Sequence, residues 1–194
     1  EYYHFQPDRN LYYLTGITRP DVLLWIWKHS GTSGAALFLP DGKHSVAGLT
    51  DFPLSKEEAK EISGLENVND VDAFNTLVSR HIERMSCETV YFDFTRLHID
   101  AAQTPLEVYA EEFGIKYPGI KIGDIHKTIC NFRVYKTKEE IAEIRKAADI
   151  TKAGVISMMK NCRPSINERD LEAEFMYQLY KNGEPLPAFA SIVA

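Results

Sequence analysis

Near residue 124 the pattern of this chain changes, and that change most limits what it can fold into. Before it, short apolar runs alternate with turn residues. After it, apolar side chains recur at helical spacing over long stretches. Helices are predicted over Asp124 to about Val134, Lys138 to about Lys160 and Glu168 to about Lys181. The segment Pro187-Ala188-Phe189-Ala190-Ser191-Ile192-Val193-Ala194 then reads as the first strand of a sheet. Such a strand can neither satisfy its backbone groups nor bury a face without partners. Together with an opening at Glu1 amid aromatic residues, it leads to the expectation that the chain is part of a larger protein. Its domains are expected to be one over 1–123, whose start is missing, and the beginning of a second over 124–194.

In the first domain, Leu11-Tyr12-Tyr13-Leu14 is an aromatic run closed by Thr15-Gly16. The continuous apolar run Val22 to Trp27 is predicted to be a strand buried on both faces. Gly31 to Gly34 turns the chain into a second strand, Ala35 to Leu39, which Pro40-Asp41-Gly42 ends. Ser55-Lys56-Glu57-Glu58 is a capping box opening a helix to about Ile62, with Gly64 as its left-handed exit. A strand at Val68 to Val71, a helix at Ala73 to Met85 and a strand at Thr89 to Phe92 give a β-α-β rhythm. Thr104-Pro105 opens a helix to about Phe113, and Gly114 to Gly123 is rich in turn residues.

A second capping box, Thr137-Lys138-Glu139-Glu140, opens the long helix. Its predicted buried stripe is Ile141, Ile144, Ala148, Val155, Ile156 and Met159. Asn167 caps the next helix, whose face is Leu171, Phe175 and Leu179, and Gly183 ends it.

Composition bounds the function. A net charge of −6 and a pI near 5.5 argue against nucleic acid or an anionic membrane as a partner. The longest apolar run, Val22 to Trp27, is far too short to cross a bilayer. Cys87, Cys130 and Cys162 form no CxxC pair, so they read as reduced, buried structural thiols of a cytoplasmic compartment. His4, His29, His44, His81, His98 and His126 read as surface or hydrogen-bonding residues, none at metal-ligand spacing. HExxH, P-loop and dinucleotide fingerprints are absent, and Ser30, Ser33 and Ser45 form no GxSxG. Asp70 and Asp72 alternate along one strand face, yet with Asp93 and Asp100 they read as capping or solvated charges. Trp25 and Trp27 share a strand face and read as core or interface. No catalytic constellation emerges from the residues themselves.

Three ordered segments resemble the aminopeptidase P and prolidase family of metallopeptidases. They are FQPDRNLYYLTG from Phe5 to Gly16, ICNFRVYKTKEEIAEIR from Ile129 to Arg145, and the stretch from Arg163 to Ala194 containing RPSINERDLEAEF and FASIVA. Two departures are Ser165, where the family has glycine, and His44 to Thr50, which lacks the tryptophan of many bacterial members. The resemblance implies an α/β fold: a creatinase/prolidase-type mixed-sheet N-terminal domain with flanking helices, then the start of a pita-bread α+β catalytic domain. It implies a parent Xaa-Pro aminopeptidase or dipeptidase that hydrolyses the bond before proline in peptides. Two divalent metal ions, expected to be manganese, would act there through two Asp, one His and two Glu. None of those ligands is assigned to a residue of this sequence, so the 194 residues alone are expected to hold no catalytic metal and to be inactive. Phe189 and Val193 are the residues expected to line the pocket for the substrate's N-terminal residue. The family further implies a homodimer or homotetramer built through the N-terminal domain, for which Tyr2, Tyr3, Tyr12 and Trp25 are exposed aromatic candidates. The competing readings are a non-catalytic creatinase-like binding module and a relative of creatine amidinohydrolase.

Overall fold

The structure is a computed structural model that describes residues 5–40, 54–95, 98, 100–183, 187–189 and 191–192. The chain divides into two compact units, Glu1–Val134 and Tyr135–Ala194. The helix at His126–Val134 belongs to the first of these units.

The first unit opens with α1 (Arg9–Thr15), where the sequence reads only as an aromatic run. Its ends are set locally. The Asp8 carboxylate accepts from the amides of Asn10 at 2.9 Å and Leu11 at 2.8 Å, and Gly16 leaves the helix at φ 69°. Strands β1 (Leu23–His29) and β2 (Thr32–Leu39) form an antiparallel hairpin whose register runs from Leu23↔Phe38 to His29↔Thr32. The turn is the pair Ser30-Gly31, at φ 47° and 81°, tighter than the expected Gly31–Gly34. Past α2 (Lys56–Ser63), strand β3 (Val68–Asp70) lies parallel to β2, so the sheet is mixed, as expected, in the order β1-β2-β3. The order corrects one expectation. β2 is the central strand and holds Ala36 to Leu39 fully buried, whereas β1 flanks it and leaves Ile26 56% exposed. A continuous apolar run signals burial on both faces only when other elements cover both faces of the sheet.

A single 3₁₀ turn (Val71–Ala73) leads into α3 (Phe74–Met85) and then β4 (Thr89–Phe92). β4 pairs not with β3 but, in parallel, with β5 (Lys121–Asp124), across α4 (Pro105–Lys116). β5 and the last turn of α4 lie in the stretch that reads as turn-rich. α5 (His126–Val134) completes this unit. One core joins Val78 and Ile82 of α3, Val90 and Phe92 of β4, Phe94, and Ala110 and Phe113 of α4. The Phe92 ring sits 5.7 Å from Phe94 and 5.8 Å, edge-on, from Phe113, separations at which aromatic pairs attract. A second core collects Ile17, Val22, Leu37, Leu39 and Ala59.

The second unit is the helical pair α6 (Lys138–Asn161) and α7 (Glu168–Lys181). Capping boxes start both: Thr137 with Glu140, and Asn167 with Asp170. The predicted stripe of α6 is corrected. Ile141, Ile144, Val155, Ile156 and Met159 are exposed, while Ile150 and Gly154 are the buried positions. At about 3.6 residues per turn the stripe and Ile150–Gly154 lie on opposite faces of one helix. Beyond α7, Pro187 to Phe189, Ser191 and Ile192 carry no strand, contrary to expectation. No partner among the described residues offers this segment a ladder, and a strand does not form alone. Ala190, Val193 and Ala194, like the turn residues Asp41 and Gly42 and the segment His44 to Thr50, lie outside the described residues.

Candidate functional site

Polar side chains converge where α1, the end of β4 and α5 meet. Asn10 comes from the buried face of α1 and is 2% exposed. Asp93 follows β4 directly. α5 contributes His126, Cys130 one turn later, and Arg133. The start of α5 is set by Asp124, whose Oδ1 accepts the His126 amide at 2.9 Å.

The distances define a chain of contacts. His126 Nδ1 lies 2.6 Å from Asp93 Oδ1, and Cys130 Sγ lies 3.4 Å from His126 Nε2. Asn10 donates from Nδ2 to Asp93 Oδ2 at 2.9 Å and accepts at Oδ1 from Arg133 Nη1 at 2.7 Å. The tautomer follows from these contacts. An ionised carboxylate only accepts, so Nδ1 of His126 carries the proton it donates to Asp93. The 3.3 Å approach of Asn10 Nδ2 to Nδ1 is then a contact between two donors, and Nε2 is left as the acceptor facing the Cys130 thiol. Asp93 thus differs from the solvated charge expected of it, because both its oxygens accept from buried or half-buried donors. His126 is the hydrogen-bonding residue expected.

The sequence does carry one signal for this cluster. His126 and Cys130 are four residues apart within a predicted helix, which puts them on one face. Asn10 and Asp93 give no such signal, since the fold brings them together from 83 positions apart. The cluster does not fit a pair of divalent ions. Its imidazole nitrogens face Asp93 and Cys130, and among the described residues no group of three or more His, Cys, Asp or Glu could hold a metal.

The other residues singled out above are dispersed. Trp25 and Trp27 do share a face, and both serve His81. The Trp25 indole donates to His81 Nδ1 at 3.0 Å, and the Trp27 ring lies 4.5 Å from the imidazole. Trp25 is half-buried, its N–H engaged inside the unit, so it is not the exposed aromatic expected. Asp70 pairs with the half-buried Lys56 at 2.8 Å and Asp100 with the exposed His98 at 3.0 Å, and Asp70, Asp72 and Asp100 are all exposed. Cys87 is half-buried and donates to the Thr89 carbonyl at 3.3 Å. Cys162 departs from the expectation of burial: it is exposed, as the residue that leaves α6. Tyr12 is exposed, whereas Tyr2, Tyr3, His4, His44 and Ser45 lie outside the described residues. Phe189 is 77% exposed, and its companion Val193 is not described.

Desolvation by burial, and then the positive charge of Arg84, hold the His81 imidazole below the ordinary histidine value. Protonation at Nδ1 would also remove the lone pair that Trp25 uses. A depressed value in the folded state means the unfolded chain binds the proton first as pH falls. The contribution of His81 is therefore present above about pH 6.5, the unfolded value, and is lost as pH falls through the folded value. The His81 ring protons are expected to titrate below about 6.5 by NMR. His81→Phe is expected to flatten the acid side of the stability profile in that window, and an unchanged slope would refute this account.

Comparison with known proteins places these features in a family setting. The family model described as "Aminopeptidase P, N-terminal domain" matches residues 1–91, and that of "Metallopeptidase family M24" matches residues 142–194. A protein of Pyricularia oryzae named "Probable Xaa-Pro aminopeptidase" is 30% identical over 191 residues, which are 98% of this chain and 38% of that protein. An Xaa-Pro aminopeptidase of Haemophilus influenzae is 22% identical, across 99% of this chain and 42% of its own length. A solved structure assigned as an aminopeptidase P from Bacillus anthracis superposes with a TM-score of 0.88 at 31% identity, over 94% of this chain and 44% of that one. Zinc-substituted aminopeptidase P of E. coli in complex with product gives 0.76 at 20% identity, over 96% of this chain and 43% of that one, a likeness of fold. The chain spans well under half the length of the curated relatives it matches.

Proposed function

The chain belongs to the aminopeptidase P family of metallopeptidases, and on that premise we propose that the whole protein is an Xaa-Pro aminopeptidase, hydrolysing the bond before proline in peptides. The observation that carries this reading is the order of the two family matches along one chain, an aminopeptidase P N-terminal domain followed by a metallopeptidase region. The peptidase names of the relatives favour it over a non-catalytic binding module or a creatine amidinohydrolase, and favour an aminopeptidase over a dipeptidase. In this reading residues 1–123 are the N-terminal domain and 124–194 begin the pita-bread domain. Phe189 and Val193 approach the pocket for the substrate's first residue, and the exposure of Phe189 leaves its ring available for that contact.

The metallopeptidase family implies divalent metal ions. We assign two ions per active site, with manganese as the metal, and no step of the reaction to the residues described, because they do not fit such a pair. The protein would act as a homodimer or homotetramer in the cytoplasm. No helix of the described residues is long and apolar enough to cross a membrane.

The test is hydrolysis by the purified whole protein of an Xaa-Pro peptide beside its Xaa-Ala counterpart. Release of the first residue from the proline peptide alone, abolished by a chelator and restored by Mn²⁺, is the expected result. The 194 residues by themselves, supplied with Mn²⁺, are expected to give no turnover above blank. Absence of proline-specific turnover by the metal-loaded whole protein would overturn the reading.

A further inference from the structure

The Asn10–Asp93–His126–Cys130 cluster has the connectivity of an activated nucleophile: a thiol, a base within reach of it, and a third group that orients the base. From this geometry we propose that Cys130 is a reactive thiol, oxidised to a sulfenic acid by hydrogen peroxide. The proposal does not depend on the peptidase reading.

Each part of the cluster has a role in that step. The Asp93 carboxylate, 2.6 Å from Nδ1, fixes the tautomer that leaves Nε2 free to accept. Nε2, 3.4 Å from Sγ, takes the thiol proton. A sulfur lone pair then attacks one peroxide oxygen and the O–O bond breaks. The departing hydroxide recovers the proton from the imidazolium and leaves as water. Sulfur loses two electrons, peroxide gains them, and His126 returns to its neutral form. The Asn10 amide presents both its nitrogen and its oxygen at 3.9 Å from Sγ. Access is provided by the partial exposure of Cys130 and of His126, whose side chain is 35% exposed.

The other two cysteines serve as comparisons. Cys87 directs its S–H to a backbone carbonyl, which takes no proton. Cys162 is the more exposed thiol, so access alone would make it the first to react. Reactivity that follows access and reactivity that follows an adjacent base thus predict opposite orders for Cys130 and Cys162.

The experiment treats the reduced whole protein with hydrogen peroxide, traps sulfenic acid with dimedone and maps the adducts by peptide mass spectrometry. Cys130 is expected to be trapped at least about tenfold faster than Cys162. His126→Asn keeps a donor at the Nδ1 position for Asp93 and supplies no base, and should slow Cys130 about tenfold or more while leaving the Cys162 rate unchanged. Asp93→Asn should slow Cys130 by a smaller factor. A wild-type Cys130 trapped no faster than Cys162 overturns the proposal, and that comparison rests on no variant's folding. An unchanged Cys130 rate in folded His126→Asn protein also overturns it.

Discussion

Asn10→Ala is expected to destabilise the first unit by about 2–4 kcal/mol, measured as a shift of the urea midpoint at constant slope. Its side chain is 2% exposed and links three segments at once. The amide nitrogen donates to Asp93 and the amide oxygen accepts from Arg133, at 2.9 and 2.7 Å. Both partners are charged groups, whose hydrogen bonds are worth more than those between neutral ones. Truncation removes a donor from a carboxylate only 23% exposed, where water replaces it poorly, and opens a small void against α5. Asn10→Asp should do more harm, because it sets an acceptor against Asp93 Oδ2 where a donor was. A double-mutant cycle with Arg133→Ala is expected to return a coupling of about 1–3 kcal/mol. A loss below about 0.5 kcal/mol for Asn10→Ala would mean that the α1–α5 packing needs no polar link.

The elements legible in the sequence are those whose instructions are local. Ser55, Thr137 and Asn167 each mark a helix start by a side chain reaching a backbone amide within three residues, and all three caps are present. α1 was equally local, since Asp8 and Gly16 bracket it, but a run of β-favouring aromatics obscures that signal. β5 carries little strand character in Lys121-Ile122-Gly123-Asp124 and exists because β4 supplies a ladder. The stripe of α6 shows the limit of periodicity. Spacing reveals that a face is apolar but not which neighbour covers it, and α7 packs on the opposite face instead. The Asn10–Asp93–His126–Cys130 cluster is the extreme case. Only the His126–Cys130 spacing is local, and tertiary folding supplies the rest.

Gly154→Ala reverses the usual sign of a helix substitution. In the interior of an exposed helix, replacing glycine by alanine stabilises by roughly 1 kcal/mol. Here a Cβ at residue 154 would stand 2.5 Å from Cδ2 and 2.7 Å from Cε2 of Phe175, where real Cβ atoms essentially never lie. Gly154 is buried, and the ring it meets is held on α7 by the helix face that packs on α6. To admit the methyl group, Phe175 must leave its rotamer or the two helices must separate, a strain of about 1–3 kcal/mol. Over most of that range the overlap outweighs the propensity gain, so a net destabilisation of up to about 2 kcal/mol is expected from denaturant unfolding of the variant. Phe175→Leu should relieve the clash, so Gly154→Ala is expected to be less damaging, or stabilising, in that background than in the wild type. A Gly154→Ala protein more stable than the wild type would show that the Phe175 ring yields freely. Helix propensity, rather than the fit between α6 and α7, would then decide the stability of this unit.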